Sequence, residues 1–317
     1  MFRFKRLAST AGFATFAFLT LPQANADGLK VVSTFSIISD FAKNVGGERI
    51  ALTTLVGPDG DAHAYEPRPS DAAAIRNADV VLANGAHFEG FLERLVKASG
   101  GTTSVVELTK GARLLRNAEE EHNSHEGPGH DDHGHKNDHH GDFDPHAWQS
   151  VQNAQIYVNN IAEAFCAADK SGCASYRVNA KSYGDKLKAL DHDLKTAVQQ
   201  VPSDRRTLIT SHDAFAYLGH EYGFQLLAPQ GASTDSEASA ADIAALIRQI
   251  KQQKASAIFL ENVSNPRLIQ QIARETGMKV GGKLYSDALS SEGGPASTYV
   301  DMMRHNIGTI LDAVRAP

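Results

Sequence analysis

Three histidines and one aspartate of this 317-residue chain, His63, His146, His212 and Asp287, have the side chains and the placement to hold a metal ion. His63 lies in Asp61-Ala-His-Ala-Tyr-Glu-Pro67, just past the second predicted strand, and His146 in Asp144-Pro-His-Ala-Trp148, where a helix is predicted to open. His212 ends the first predicted strand of the second half, and Asp287 ends a strand near the C-terminus. In open α/β sheets, ligands bind just beyond the carboxyl ends of strands. Three imidazoles and a carboxylate suit tetrahedral zinc, and imidazole favours zinc over manganese, which takes more oxygen. Taken singly, a histidine at a strand end is more often a hydrogen-bonding or capping group, and an aspartate there an N-cap. No Cys-x-x-Cys or His-Glu-x-x-His spacing is present, and His220-Glu221 lacks the second histidine of the metalloprotease motif.

The four gain weight from what precedes His146. Residues 117–142 hold His122, His125, His130, His133, His135, His139 and His140, seven of the fourteen histidines, with eight Asp or Glu and one Lys. The run has no aromatic or large aliphatic side chain. Such a segment buries too little apolar surface to fold and is expected to be disordered, yet it can hold divalent metal loosely in many arrangements. It reads as an accessory metal binder beside a rigid site, the alternatives being an inert acidic spacer or a sensor.

The positioning elements follow from alternating patterns. Residues 1–26 read as a cleaved signal peptide: basic Arg3, Lys5 and Arg6, an apolar stretch from Leu7 to Leu21, and Ala24-Asn25-Ala26 before Asp27. The apolar stretch is shorter than a membrane span needs, and no cysteine follows it to carry a lipid. Removing the leader takes the formal charge from −6 to −9; an acidic chain argues against nucleic acid and fits a cationic ligand. Strands alternating with helices predict parallel βα units in both halves: strands near Leu29–Phe35, Ile50–Val56, Asp79–Asn84 and Thr103–Val106, then Thr207–Thr210, Phe224–Ala228, Ala257–Leu260 and Lys279–Tyr285. Helices are expected over Ala72–Asn77, capped by Ser70-Asp71, and over Phe88–Ala98.

Between the halves, Tyr176, Ala180, Tyr183, Leu187, Leu190, Leu194, Ala197 and Val201 alternate steps of four and three, predicting one long helix over 174–201. It reads as a spine joining two lobes, 27–168 and 203–317, in a monomer; a coiled-coil dimer is the weaker reading, since no e/g charge pairing accompanies the seam. Cys166 and Cys173 are the only cysteines. In an exported, oxidising setting the Lys170-Ser-Gly172 turn between them makes a disulfide plausible, with two free thiols the alternative.

His63-Ala-Tyr-Glu-Pro67, Asp144-Pro-His-Ala-Trp148, His212-Asp-Ala-Phe215 with Tyr222-Gly223, and Asp287 ahead of Tyr299 and Met303 resemble the metal-binding proteins of bacterial ABC importers, above all the zinc-specific, ZnuA-like branch with a histidine-rich loop. The resemblance covers essentially the whole mature chain. It implies a rigid two-lobe periplasmic binding protein, with its site in the cleft, that hands Zn2+ to a membrane permease. A periplasmic zinc metallochaperone is a further partner to consider. By matching position His63, His146, His212 and Asp287 would be the ligands; members vary in the fourth, so water or a nearby carboxylate are alternatives to Asp287. The manganese branch carries glutamate where His212 stands. Glu66 and Glu261 fall in matching segments and would support the ligands or the fold, whereas His87 matches no ligand position. Rival readings are a manganese or iron importer subunit, a periplasmic zinc buffer, and an exported zinc hydrolase with Glu66 or Glu261 as base. Filling the fourth position with Asp287 would argue against the hydrolase, because catalytic zinc keeps a position for water.

Overall fold

The computed structural model describes residues 28–117 and 141–315. The expected signal peptide and the histidines His122 to His140 lie outside the described residues.

Each half forms a four-stranded parallel sheet. In the N-terminal lobe β1 (Leu29–Phe35), β2 (Ile50–Val56), β3 (Val80–Ala83) and β4 (Val105–Glu107) lie in the order β2-β1-β3-β4. In the C-terminal lobe β5 (Thr207–Ile209), β6 (Gln225–Leu227), β7 (Ala257–Glu261) and β8 (Val280–Leu284) repeat it as β6-β5-β7-β8. Around the sheets lie α1 (Ser36–Gly46), α2 (Pro69–Arg76), α3 (Leu92–Ser99), α4 (Val151–Ala168), α6 (Ala216–Tyr222), α7 (Ala240–Gln253), α8 (Pro266–Thr276) and α9 (Tyr299–Arg315), with α5 (Cys173–Val198) between the lobes. The chain leaves the first strand of each sheet to one side and returns on the other. A crevice therefore opens at the carboxyl ends, and His63, His212 and Asp287 follow β2, β5 and β8 there.

The long helix is present and shorter than the expected 174–201. Its 26 residues span about 39 Å at the usual rise. Tyr176, Ala180, Tyr183, Leu187, Leu190 and Leu194 line its buried face, and the last place on that face belongs to Val198 instead of Ala197. It packs on α1 and α4 in one lobe and on α6 and α9 in the other. One apolar core thus runs unbroken from Val31 and Phe41 through Tyr183 and Leu187 to Phe215 and Tyr299. A smaller cluster around Ile209, Ile250, Ile258 and Ile269 lies behind the C-terminal sheet. Buried Asp40 of α1 ties the pieces together: its Oδ2 accepts from Tyr183 Oη of α5 at 3.0 Å and from Tyr299 N of α9 at 3.1 Å.

Three local expectations are corrected. Helix α2 opens at Pro69, not at Ala72, because Asp71 sits at its third position and its Oδ2 accepts from Arg68 N. Helix α3 opens at Leu92, not at Phe88: Gly85, Ala86 and His87 form a left-handed turn with φ values of 83°, 51° and 61°, and Phe88 and Glu89 belong to that turn, the Glu89 carboxylate accepting from Asn84 N and Gly85 N. The Asp144-Pro-His segment leads into a 3-10 turn, Ala147–Gln149, and only then into α4, which Ser150 caps by accepting from Asn153 N.

Cys166 and Cys173 form a disulfide with Cα atoms 4.4 Å apart. It closes the α4–α5 corner, where Asp169 Oδ1 accepts from Ser171 N and Gly172 N, each at 3.0 Å. Loop-closure entropy for so short a loop gives about 2–3 kcal/mol. Urea unfolding of Cys166→Ser/Cys173→Ser should show that loss; an unchanged midpoint would mean the corner is held by Asp169 alone.

Candidate metal centre

The four residues converge in the cleft, His63 and His146 from the N-terminal lobe and His212 and Asp287 from the C-terminal lobe. All four are buried, and one donor atom from each lies within 4.8 Å of the others. His63 Nε2 stands 3.3 Å from His146 Nε2 and 3.5 Å from Asp287 Oδ2. His212 Nε2 stands 3.1 Å from Asp287 Oδ2, and His146 Nε2 3.6 Å from Asp287 Oδ1. A tetrahedral ion with bonds of about 2.0–2.1 Å sets its ligand atoms about 3.3 Å apart. The cage is therefore ion-sized. Both Asp287 oxygens are buried and accept no hydrogen bond, a costly state for a carboxylate that a cation at the centre would relieve.

Each ring is aimed by its surroundings. Asp144 Oδ1 accepts from His146 N at 2.9 Å and from His146 Nδ1 at 2.8 Å, which leaves the Nε2 lone pair facing the centre. Glu261, at the end of β7, does the same work for His212. Its Oε1 accepts from Ser211 N and His212 N at 2.6 and 3.0 Å, and its Oε2 lies 2.6 Å from His212 Nδ1, a close ion contact rather than an aligned hydrogen bond. Asp61 Oδ1 accepts from His63 N at 2.9 Å, while its Oδ2 accepts from Thr234 Oγ1 of the opposite lobe at 2.7 Å.

Phe88 forms a wall, its ring edge-on to His63 at 4.6 Å and 5.9 Å from His146. The left-handed turn that delivers it is held by buried Glu89, whose carboxylate accepts from Thr34 Oγ1, Asn84 N and Gly85 N. Non-glycine residues in that region store strain of about 1–3 kcal/mol each, and such strain gathers at functional sites.

The ends of the histidine-rich insertion meet beside His146. Arg116 and Phe143 form an antiparallel bridge, and Asp144 N donates to Leu115 O at 2.9 Å. Tyr217 of α6 clamps this neck by accepting from Leu115 N and donating to Asp144 O.

Charge sets the protonation of the cage. Burial alone would push the His212 imidazolium down, but Glu261 and Asp287 outweigh it and hold His212 well above its usual range. Burial would likewise raise Asp287, and His212 and His146 instead hold it well below. The His212 ring lies between two carboxylates that favour its protonated form.

A two-lobe α/β frame with a closed, ion-sized cage of nitrogen and oxygen donors at the lobe boundary defines a substrate-binding protein for a divalent metal ion. The chain belongs to the family described as zinc-uptake complex component A, periplasmic, whose model matches residues 31–313. Among curated relatives, the manganese-binding lipoprotein MntA of Bacillus subtilis is 34% identical over 317 residues, covering 96% of this chain and 97% of the relative. The iron-binding protein YfeA of Yersinia pestis is 32% identical over 307 residues, covering 97% and 92%. The solved structure of the periplasmic zinc-binding protein TroA from Treponema pallidum superposes with a TM-score of 0.79 at 30% identity, covering 90% of this chain and 99% of that one. The chain is a metal-binding substrate-binding protein of an ABC transporter and not an enzyme. The hydrolase reading falls with this.

Two other carboxylates divide. Glu261 supports His212, as the family resemblance implies, whereas Glu66 is exposed and joins none of the contacts that shape the cage. His87 is exposed and outside the cage. Asp144, Asp61 and Phe88 were not singled out by sequence. For Asp144 a signal existed: an aspartate two residues before a histidine, across a proline, can fold back onto that residue's N–H.

Proposed function

We propose that this protein captures Zn2+ outside the cytoplasm, with His63, His146, His212 and Asp287 as ligands, and delivers it to the membrane permease of an ABC importer. The observation that carries this is the donor set: three buried imidazoles against one carboxylate, at separations that fit a tetrahedral ion. In the same reading residues 1–26 are a cleaved leader, 27–168 and 203–317 are the lobes, and the seven histidines of the run collect zinc loosely near the cleft, raising its local concentration.

Manganese or iron is the second reading, and one observation favours it. Both Asp287 oxygens face the rings, Oδ1 towards His146 and Oδ2 towards His63 and His212. A two-oxygen grip would give an N3O2 set that a more oxygen-loving ion accepts.

The deciding experiment is a competition titration of metal-free protein lacking residues 118–140, a deletion that keeps the Asn117–Asp142 backbone contact. One zinc bound tightly and not displaced by excess manganese supports the cage and zinc. Displacement by manganese would transfer the assignment, and loss of tight binding with the run would make the histidine run itself the binding site of a zinc buffer.

A further inference from the structure

The ligands come in pairs from two lobes, so something must fix one pair against the other. The Asp287 side chain reaches the other lobe only through ion contacts with His63 and His146 at 3.5 and 3.6 Å, too long for aligned hydrogen bonds. Its position is set by the backbone just before it. Tyr285 exchanges hydrogen bonds with Asn306 of α9, its N donating to Oδ1 at 2.9 Å and its O accepting from Nδ2 at 2.8 Å. Ser286 N donates to Asn262 Oδ1 at 3.3 Å. These bonds stay within the C-terminal lobe. The Ser286 carbonyl is different: it accepts from Trp148 Nε1 at 2.9 Å and from Gln149 Nε2 at 2.8 Å. Both donors belong to the 3-10 turn directly after His146. Both lone pairs of one carbonyl, adjacent to a ligand of one lobe, are thus used by two consecutive residues beside a ligand of the other.

Trp148 has an evident packing reason to be there, since its ring lies 5.0 Å from Phe35 and 4.7 Å from Phe88. Gln149 has none. Its side chain is fully buried, and its Oε1 has no partner. A buried amide with half its polar capacity unused is costly, so its place is explained by the one bond it makes.

We propose that Gln149 is a positioning residue that braces the His146 segment against the Asp287 segment through the Ser286 carbonyl, and so determines which ion the cage prefers. This rests on the four-ligand reading of the centre. The Asp287 oxygens stand 3.5 Å from His63 and 3.6 Å from His146, and the brace opposes any widening of these gaps. A cage that cannot widen favours a small ion with short bonds and few ligands over one that gathers more oxygens. Without the brace, the carboxylate is free to shift and the cage to admit a larger coordination number.

The test uses the full mature chain, stripped of metal, as wild type and as Gln149→Leu, with Gln149→Met as a second, unbranched variant should leucine fail to fold. Three quantities are read: the melting temperature without metal, the zinc and manganese dissociation constants, and the visible spectrum of the cobalt(II) form, which reports coordination number. Loss of a supporting partner to a metal ligand typically costs 10–100-fold in affinity. We expect zinc to weaken by that factor and manganese by much less, with a changed cobalt spectrum and faster zinc release in a protein that still melts cooperatively. Trp148→Phe in the Gln149→Leu background should cost more than it does alone, because the double variant removes both side-chain donors from the buried Ser286 carbonyl. A folded Gln149 variant with wild-type zinc-to-manganese preference and an unchanged cobalt spectrum overturns the brace, as does parallel weakening of both ions, which a merely structural role would produce. If wild-type protein shows no single site that His212→Ala removes, the four-ligand reading has failed and the brace falls with it.

Discussion

His212→Ala is expected to abolish tight one-to-one zinc binding and also to destabilise the metal-free protein. Tight structural zinc sites are worth about 10–16 kcal/mol over roughly four ligands, so one ligand accounts for about 3–4 kcal/mol, or roughly two to three orders of magnitude in Kd. The second loss has a separate origin. His212 lies 2.6 Å from Glu261 and 3.1 Å from Asp287 with all three side chains fully buried. Among the described residues His212 is the ring that touches both, and its removal leaves buried Glu261 without its counter-charge and Asp287 with His63 and His146 alone, a loss of about 3–5 kcal/mol. Isothermal titration and urea unfolding would read the two effects separately. His220→Ala, at an exposed position of α6, is the control and should change neither. Wild-type zinc affinity in His212→Ala would remove this histidine from the ligand set.

The other large effect is an exchange of metal for a proton. Zinc takes neutral imidazole, and Glu261 and Asp287 keep His212 protonated well above the usual imidazole range. Below that raised pKa each zinc bound must expel the His212 proton. Affinity should then fall about tenfold per pH unit across neutrality, instead of only below the ordinary histidine value of about 6.5. Calorimetry at pH 7 in buffers of different ionisation enthalpy should show about one proton released per zinc. The metal-free fold responds in the opposite sense. The His212 contribution to stability is complete below about pH 6.5, the unfolded value, and is lost as pH rises through the raised folded one. Asp287, held low by His212 and His146, contributes above about pH 3.9 and fades as pH falls through its depressed value. The thermal stabilisation conferred by zinc should therefore grow from pH 6 to pH 8. A zinc affinity and a proton count that do not change with pH over that range would contradict the charge arrangement around His212.

Much of the cage was legible because strand ends in parallel sheets are where ligands bind, and His63, His212 and Asp287 follow strands whose apolar runs are plain. The four-three seam announced the spine. What stayed hidden depends on geometry that no short pattern encodes. Phe88, Leu92 and Leu95 have helical spacing, so Phe88 read as the start of a helix; only Gly85 hinted at the left-handed turn that makes it a wall against His63. Asp144 and Glu261 act through backbone N–H groups and ring nitrogens within hydrogen-bond reach, and their partners become evident only when the turn and the β5–β7 pairing are in place. The contacts that unite the lobes join residues as far apart in sequence as Asp40 and Tyr299 or Trp148 and Ser286, which leave no local trace.

The apolar core that passes through α5 without interruption has a consequence for how the molecule comes apart. Two sheets in separate lobes suggest two units that could melt independently, yet Phe41, Tyr183 and Tyr299 belong to one cluster, with Phe41 and Tyr299 ring centroids 4.8 Å apart. Neither lobe can lose its packing without exposing the other's. Most of the slowly exchanging backbone amides should accordingly be lost together in one global event. The outer layer of α7 and α8 rests on its own small cluster behind the C-terminal sheet. Its amides are the ones expected to exchange early, through a partial opening that leaves the metal cage intact.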